Sequence, residues 1–384
     1  MNPFKYGKEV SGYQFYDRKE SCDNLYRTLK DGSSNVVLYA PRRYGKTSLV
    51  LKVLKTFRAE GVKCLHFDFS KVRSIDHFCT EYAVAVYALW GGLPELVNAL
   101  KEYLAHLHPT FSFGDGPIPQ VRFDYGERMG ATELGEVLDL PEKLARRAGG
   151  ESVVVAFDEF QDVAELSGSI PLEAVFRSVI QEQSCVRYVF LGSKTHLIQR
   201  MFGSRSRPFY KSALGMKIDR PPREESEEFV VSRFAGEGIT VSGEVLQKLL
   251  EVSDNIPYYL QATAALSYQS VRSRGGDSVE SGDIDRAVAL YLEGSEDYYE
   301  EILRSLAVVQ RSLVEALARE PTDRFDEAYR ERHRLGGVSS IHSAVRSLIA
   351  RGVIDSVKGV YSVVDPFFVR YVKTASPAFV LNQA

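Results

Sequence analysis

The amino-acid sequence predicts a three-layer α/β core built on a parallel sheet, followed by a small helical lid and a C-terminal winged helix. The sheet is predicted from three apolar runs, at residues 36–40, 153–157 and 188–191. Each run is continuously apolar, which is typical of a strand buried on both faces of a parallel sheet. Helical patterns separate the runs, so each connection is long enough to join two parallel strands.

The first apolar run leads into a loop with the pattern of a phosphate-binding loop. Its residues are Pro41, Arg42, Arg43, Tyr44, Gly45, Lys46, Thr47 and Ser48. The pattern G-x-x-x-x-G-K-[ST] is matched except at its first position, where Ala40 replaces glycine. Backbone N–H groups at a helix N-terminus would cradle phosphate oxygens, Lys46 would reach the β- and γ-phosphates, and the Thr47 hydroxyl would hold Mg²⁺. The loop therefore predicts binding of ATP or ADP with Mg²⁺, whereas the structural alternative is a turn beside two basic residues.

Two carboxylates stand at the end of the second apolar run. Asp158 and Glu159 follow the buried strand directly, and open α/β sheets bind their ligands at the carboxyl ends of the strands. Asp158 would hold Mg²⁺ through water, and Glu159 would orient the attacking water as general base. A solvated acidic turn is the alternative, and the phosphate loop upstream favours the catalytic interpretation.

Polar and basic residues near the third run offer further groups for a nucleotide. Ser193 is our first choice, and Lys194 our second, for the residue that senses the γ-phosphate, and an ordinary Gly-Ser turn is the alternative. The loop at 203–210 contains two arginines that would deliver a positive charge to the γ-phosphate, in cis or to a neighbouring subunit. Solvated loop arginines explain this pattern equally well.

The chain length and the pattern changes predict several domains. A chain of 384 residues exceeds one ordinary core. We expect an ATPase core over 1–219 with an inserted hairpin at about 106–126, a helical lid over 220–290, and a winged helix over 291–384. Within these domains we expect one helix from about 131 to 147 and an acidic, Tyr-rich link at 291–301. The last domain combines three helical patterns with a hairpin, as in relatives of the helix-turn-helix readers of DNA.

The composition is that of a globular protein in a reducing compartment. The apolar fraction is 44%, the charged fraction is 26% and the net charge is −3, so nothing draws the whole chain to nucleic acid or an anionic membrane. No apolar run approaches the roughly 20 residues that span a bilayer, and the first residues lack the apolar segment of a signal peptide. The four cysteines form no C-x-x-C pair, which predicts structural thiols in the cytoplasm and no zinc site.

Taken together, these motifs make the chain similar to the archaeal-type ATPases of the AAA+/STAND group of P-loop NTPases, which also occur in bacteria. The likeness extends over nearly the whole chain and distantly includes the origin-recognition ATPases. It is carried by Pro3-Phe4-Lys5-Tyr6-Gly7, Phe15 with Arg18 and Glu20, the phosphate loop, Asp158-Glu159-Phe160-Gln161, Leu191-Gly192-Ser193, Ser206-Arg207-Pro208-Phe209-Tyr210, Ile256-Pro257-Tyr258-Tyr259 and Asp365-Pro366-Phe367-Phe368.

The resemblance implies roles that the residue pattern alone does not assign. It places Pro257 against the adenine, with Phe15 and Arg18 on the other side of the ring, and it offers Arg207 as an arginine finger. Two positions depart from the family. Ala40 replaces a glycine and should still fit, and Asn255 stands where relatives have glycine, although asparagine tolerates left-handed backbone conformations.

Three functions compete at this stage. The favoured one is a Mg²⁺-dependent ATPase whose nucleotide state moves the lid and the winged helix, with slow turnover until a partner or neighbouring subunit completes the site. The second is a DNA-binding regulator in which ATP is only a conformational ligand, with His342, Arg346, Arg351 and Lys358 as contacts. The third is a phosphotransferase that uses a small-molecule acceptor. A protein partner on the winged helix and self-association both stay open, and no membrane partner is expected.

Overall fold

A computed structural model describes residues 2–7, 18–32, 34–91, 98, 101–104, 109–112, 120–123, 130–166, 170–357 and 359–375. The chain divides into two compact units. The first, which we call the sheet unit, consists of Lys19–Ala40 and Lys46–Ile218. The second, which we call the lid–wing unit, consists of Met1–Arg18, Pro41–Gly45 and Asp219–Ala384. The predicted boundaries at 219 and 290 stay predictions.

The sheet unit is built on a five-stranded parallel sheet. Its strands and a separate hairpin are β1 (Val36–Tyr39), β2 (Lys63–Asp68), β3 (Pro109–Ser112), β4 (Gln120–Phe123), β5 (Val153–Asp158), β6 (Val186–Gly192) and β7 (Leu214–Lys217). The strand order is β2-β5-β6-β1-β7, and every pairing is parallel. Strands β3 and β4 pair antiparallel, within the stretch for which a hairpin is predicted. The α/β class and the parallel sheet are thus confirmed.

Helices cover the sheet. The sheet unit contains α1 (Lys19–Lys30), α2 (Lys46–Ala59), α3 (Ile75–Leu89), α4 (Ala131–Leu138), α5 (Leu140–Arg147), α6 (Leu172–Glu182) and α7 (Thr195–Gly203), with 3₁₀ turns at Phe69–Lys71 and Phe160–Glu165. The single helix predicted over 131–147 is wrong, because the chain breaks at Asp139 into α4 and α5. Pro141 explains the break, since proline lacks the N–H that a continuous helix needs and is tolerated in a first turn.

Aromatic rings fill the core of the sheet unit. Phe157 of β5 is fully buried, and its ring lies 5.3 Å from that of Phe69 and 5.5 Å from that of Tyr188. All six residues of β5 are buried, as expected for a central strand with both faces covered. Phe160, the first residue after the Asp-Glu pair, packs 4.6 Å from Phe190 and so fixes the end of β5.

A buried carboxylate fastens α5 to the segment that enters β6. Glu142 accepts hydrogen bonds from the Arg146 side chain at 2.7 Å, from the Ser184 hydroxyl at 3.0 Å, and from the N–H of Ser184 at 3.1 Å and of Cys185 at 2.8 Å. Burial alone would raise the pKa of Glu142, but these donors outweigh burial and lower it. The start of β6 is therefore fixed by a charged hydrogen-bond network.

The lid–wing unit is mainly helical. Its elements are α8 (Arg223–Ala235), β8 (Thr240–Val241), α9 (Gly243–Val252), α10 (Pro257–Ser273), β9 (Ser278–Val279), α11 (Ser281–Glu293), α12 (Glu296–Arg304), α13 (Val308–Arg319), α14 (Glu327–Arg332), α15 (Val338–Ala350), β10 (Ile354–Val357), β11 (Val360–Val363) and α16 (Pro366–Ala375). Helices α13 to α15 and the β10–β11 hairpin form the expected winged helix. The link expected at 291–301 is instead the end of α11 and most of α12, because Tyr299 and Leu303 bury one face of α12.

Two aromatic clusters hold the lid–wing unit together. Phe4 is buried in the lid, 4.8 Å from Phe234 and 6.0 Å from Phe229 between ring centroids. Phe367 of α16 stacks on Tyr259 of α10 at 5.2 Å and lies 4.4 Å from Tyr291 of α11. These contacts join the lid helices to the last helix of the winged helix. Among the described residues, no helix is both long enough and apolar enough to cross a membrane.

Candidate functional site

The phosphate loop has the backbone of a tight turn. Gly45 has a φ of +80°, in the left-handed region that glycine adopts without steric cost. Arg43 also has a positive φ, +72°, which is uncommon for a residue with a side chain. Pro41 and Gly45 are half-buried, and a Cβ added at Gly45 would lie 4.0 Å from Cγ of Pro257. The residue predicted to cover the adenine therefore lies beside the loop glycine.

The following residues belong to the sheet unit and face the end of β5. Lys46 is buried, and its Nζ donates to the carbonyl oxygen of Ala40 at 2.8 Å. The Thr47 hydroxyl donates to Oδ2 of Asp158 at 2.6 Å, and Ser48 is buried in the first turn of α2. The acceptor is the backbone carbonyl of residue 40, so the methyl group of Ala40 takes no part in this hydrogen bond.

Thr47 and Asp158 form a donor set suited to Mg²⁺. Mg²⁺ prefers hard oxygen ligands, usually takes one or two from the protein, and completes its shell with phosphate oxygens and water. A hydroxyl and a carboxylate in contact at the carboxyl end of a strand fit that requirement. In the described part of the chain, no group of three or more His, Cys, Asp and Glu side chains is placed to hold a metal ion. Phosphate oxygens and water would therefore supply the remaining ligands.

His66 is a neighbour of Asp158 that the sequence did not reveal. Its Nε2 lies 3.2 Å from Asp158 Oδ2, and its side chain is 16% exposed. Parallel pairing places His66 of β2 opposite Ala156 of β5, two residues before Asp158. Burial alone would raise the pKa of Asp158, but the hydrogen bonds from His66 and Thr47 outweigh burial and lower it. Asp158 is thus held as a carboxylate.

The proposed general base is fixed by three donors. Glu159 has a φ of +49°, and its Oε2 accepts the Ser193 hydroxyl at 2.6 Å and the Ser193 N–H at 3.3 Å. The same oxygen accepts Nε2 of Gln161 at 2.6 Å. Ser193, the first choice for the sensor, therefore contacts the base directly. Gln161 is a further site residue, although only its place in the family-like Asp-Glu-Phe-Gln motif had singled it out.

The neighbours of Ser193 separate the two candidates for the sensor. A Cβ added at Gly192 would lie 2.8 Å from Cβ of Ile198 and 2.8 Å from Oε1 of Gln161, so only glycine fits there without displacing α7 or this amide. Lys194 donates to Asp162 at 3.2 Å and to Glu165 at 2.7 Å. The structure therefore directs Ser193 toward Glu159 and engages Lys194 with the acidic residues of the 3₁₀ turn.

Arg207 lies in the sheet unit, in an ion pair. Its Nη2 bonds Oε1 of Glu173 in α6, and the two side chains are 30% and 12% exposed. Burial raises the pKa of Glu173, and its attraction to Arg207 opposes this only in part. A finger role for Arg207 therefore requires that the guanidinium leave Glu173.

The adenine-side residues belong to the lid–wing unit. Arg18 is 4% exposed and donates to the carbonyl oxygens of Tyr44 and Asp219, each at 2.7 Å. Phe15 lies outside the described residues. Asn255 adopts a φ of +51°, as the glycine-like position requires, and its Nδ2 donates to the carbonyl oxygen of Pro221 at 2.9 Å. The Arg18 side chain thus holds the phosphate loop by bonding the backbone carbonyl of Tyr44.

The side chain of Arg43 contacts the lid and the winged helix. Nη1 of Arg43 bonds the Tyr259 hydroxyl and, at 2.6 Å, Oδ2 of Asp365 in the winged helix. The Arg43 guanidinium carbon also lies 4.9 Å from the centroid of the Tyr258 ring. Arg42 is exposed. Only the backbone of Arg43 would therefore contact a phosphate, because its side chain bonds residues of the lid and the winged helix.

Comparisons with known proteins agree with this architecture. A family model described as "Probable winged helix domain" matches residues 297–374. No curated protein sequence matches the chain. A Walker-type ATPase of Pyrococcus abyssi has a similar structure, with a TM-score of 0.69 and 16% identity over 97% of this chain and 99% of that one.

Two proteins of Aeropyrum pernix are similar as well. Its ORC2 protein, solved as ADPNP-ADP complexes, has a TM-score of 0.57 and 14% identity over 94% of this chain and 95% of that one. Its ORC1 protein, solved in complex with DNA, has a TM-score of 0.50 and 15% identity over 98% of this chain and 96% of that one. The chain has the fold of the AAA+ P-loop ATPases with a C-terminal winged helix, and the resemblance inferred from sequence is confirmed at the level of fold.

Proposed function

We propose that the protein is a Mg²⁺-dependent ATPase that acts as a nucleotide-driven switch. One observation carries the proposal: the buried strand β5 ends at Asp158, which contacts the phosphate-loop Thr47, and the next residue, Glu159, contacts Ser193. A phosphate-binding lysine, a metal-binding pair and a base beside a hydroxyl are the parts that ATP hydrolysis needs.

Each residue has a defined task in this proposal. Lys46 exchanges the Ala40 carbonyl for phosphate oxygens and neutralises their charge. Thr47 and Asp158 hold Mg²⁺, which when bound draws charge from the β- and γ-phosphates. Glu159 accepts the proton of the attacking water. Its Oε2 already accepts hydrogen bonds from Ser193 and Gln161, so these donors must share that oxygen with the water or release it. The ability of Glu159 to act as the base therefore depends on the position of Ser193.

The switch rests on Arg43. This arginine belongs to the phosphate loop and bonds both Tyr259 of the lid and Asp365 of the winged helix. A change in loop backbone on nucleotide binding would displace this guanidinium, because φ and ψ of residue 43 set the direction of its side chain. We propose that hydrolysis to ADP and phosphate moves the lid and the winged helix through this link.

Two substitutions test the catalytic assignment. Glu159→Gln should retain ATP affinity and reduce phosphate release at least a hundredfold, because the amide cannot accept the proton. Lys46→Ala should weaken ATP binding at least tenfold in equilibrium dialysis. The control is Glu165→Gln, an exposed carboxylate on the same turn that bonds only Lys194 among the described residues. Equal phosphate release from Glu159→Gln and the unsubstituted protein would remove Glu159 as the base.

An ATP-responsive DNA-binding regulator is the second candidate. Helix α15 presents His342 and Arg346 to solvent, and its 13 residues include no Asp or Glu. The winged-helix match and the similarity to a protein solved with DNA favour this alternative. Gel shifts over a salt series, with and without ATP, test it, since phosphate contacts give a steep salt dependence. Unchanged mobility at low salt in both states would reject it.

Self-association decides how Arg207 would act. Mass measurement in solution with and without ATP provides the test. An assembly that forms only with ATP would make Arg207 a finger in trans, released from Glu173 at the subunit contact. A monomer in both states would point to a self-contained switch.

A further inference from the structure

The lid–wing unit contains a cavity of about 310 Å³ on the side of the phosphate loop where Arg42 and Arg43 point. Its lining combines loop, lid and winged-helix residues: Arg42, Arg43, Tyr259, Tyr298, Ile302, Arg351, Gly352, Val353, Val364, Asp365 and Phe368. Small-molecule sites start at about this volume. The cavity therefore has room for one ring and a small charged group.

The charges of the lining are unbalanced. Three guanidinium groups face one carboxylate, and that carboxylate, Asp365, is bonded by Arg43 at 2.6 Å. Within the described residues, the Arg42 side chain makes no hydrogen bond or ion pair. Arg351 bonds only the carbonyl and hydroxyl oxygens of Ser305 there. Two guanidinium charges are thus left without a counter-charge in a concave surface, which concentrates their field.

The remaining lining is apolar. Ile302, Val353 and Val364 are half-buried, Phe368 is buried, and the ring of Tyr298 is 52% exposed. Apolar side chains with a few placed charges are the usual composition of a ligand site. A flat apolar group would find its contacts here, while its charged end meets the arginines.

We propose that this cavity binds a second ligand besides ATP, a phosphate monoester carried on a flat apolar group. A phosphate monoester brings about two negative charges at neutral pH, which matches the two unpaired guanidinium groups, and arginine bonds phosphate through two parallel N–H donors. The phosphate of the ligand would contact Arg42 and Arg351. Because Arg42 belongs to the phosphate loop, the ligand would contact that loop through the Arg42 side chain.

Phenyl phosphate is the probe, with inorganic phosphate and phenol as its charged and apolar halves. Isothermal titration of the full chain should show phenyl phosphate binding at least tenfold tighter than either half. Ile302→Glu adds a carboxylate to the cavity and should weaken phenyl phosphate binding at least tenfold, whereas Ile302→Gln has the same size without the charge and should bind within threefold of the unsubstituted protein. Tyr298→Glu and Tyr298→Gln repeat the comparison at an exposed position.

The Lys46→Ala variant distinguishes binding in this cavity from binding of the probe at the nucleotide site of the phosphate loop. Phenyl phosphate binding that survives Lys46→Ala and is lost in Ile302→Glu supports the proposal. Binding lost in Lys46→Ala, binding unaffected by both Glu variants, or no heat up to 10 millimolar probe would each overturn it. Absence of ATP hydrolysis would count against the proposed function alone, since this titration contains no ATP.

Discussion

The Asp365 carboxylate makes two separable contributions to the lid–wing unit. Its Oδ1 caps α16 by accepting the N–H groups of Phe367 at 2.9 Å and Phe368 at 3.0 Å. Its Oδ2 accepts Arg43 at 2.6 Å and the Tyr299 hydroxyl at 3.2 Å. Asp365→Asn retains an oxygen for the cap and loses the charge, whereas Asp365→Ala loses both.

The free energies of unfolding of α16 in the two variants should differ by the contribution of one helix cap. Removing one partner of an exposed pair costs ~0–1 kcal/mol, and of a buried pair ~3–5 kcal/mol. The side chains of Arg43 and Asp365 are 30% and 17% exposed, between these limits. We therefore expect Asp365→Asn to cost about 2 kcal/mol, and Asp365→Ala about 3 kcal/mol, since the lost cap adds ~1 kcal/mol.

Amide hydrogen exchange in α16 measures this change where it occurs. Exchange through local opening should accelerate about thirtyfold in Asp365→Asn and more than a hundredfold in Asp365→Ala, since 1.4 kcal/mol is about a factor of ten. The single tryptophan, Trp90, lies in the sheet unit, so its fluorescence transition in urea reports on that unit and not on α16. Asp323→Asn is the matched control, because that carboxylate is 64% exposed and pairs only with Arg324 within the described ranges.

Three results would refute this reasoning. Protection in Asp365→Asn equal to that of the unsubstituted protein would show that the Arg43 contact adds nothing to the stability of α16. Equal loss in Asp365→Asn and Asp365→Ala would show that the cap and the charge are not separable. Accelerated exchange confined to the Asp323→Asn control would exclude a specific role for Asp365.

Three further predictions concern the sheet unit. Ser193→Ala removes the 2.6 Å bond to Glu159 and should slow phosphate release at least tenfold with ATP affinity within threefold; unchanged release would exclude this contact from catalysis. Gly192→Ala places a Cβ 2.8 Å from Cβ of Ile198 and from Oε1 of Gln161, and it should lower the free energy of unfolding in urea by about 1–3 kcal/mol; an unchanged midpoint would contradict it. The lowered pKa of Glu142 means that the unfolded chain binds this proton first, so its stabilising effect is complete above the ordinary pKa of about 4.3 and is lost as pH falls through the folded value. Glu142→Gln should therefore destabilise more at pH 7 than at pH 3, and an equal effect at both would refute the linkage.

The sequence predicted the parts of the site that a strand end or a loop pattern determines. The contact of Thr47 with Asp158 follows from one rule, that the carboxyl ends of all strands of a parallel sheet lie at the same edge. The same rule brought Ser193 beside Glu159. Such contacts depend on backbone topology, which the apolar runs specify.

The remaining contacts depend on packing between elements distant in the sequence. His66 reaches Asp158 only through the exact register of β2 and β5, and a shift of one residue would turn it to the other face. The helix break at Asp139 was not predicted from the sequence, because the apolar spacing continues across it. Pro141 fits there because proline is tolerated in the first turn of a new helix. Neither apolar spacing nor motif matching contains these constraints.

Arg43 shows why a loop pattern predicts a backbone better than it predicts a side chain. Its position is unrestricted in the pattern, so any residue satisfies it. Yet a non-glycine residue at a φ of +72° costs ~1 kcal/mol or more, and such strain persists only where the surroundings offset it. The bonds to Tyr259 and Asp365 provide that offset in the lid–wing unit. A strained loop residue held by the lid and the winged helix is the physical reason to expect that a change in either domain alters the phosphate loop, and the reverse.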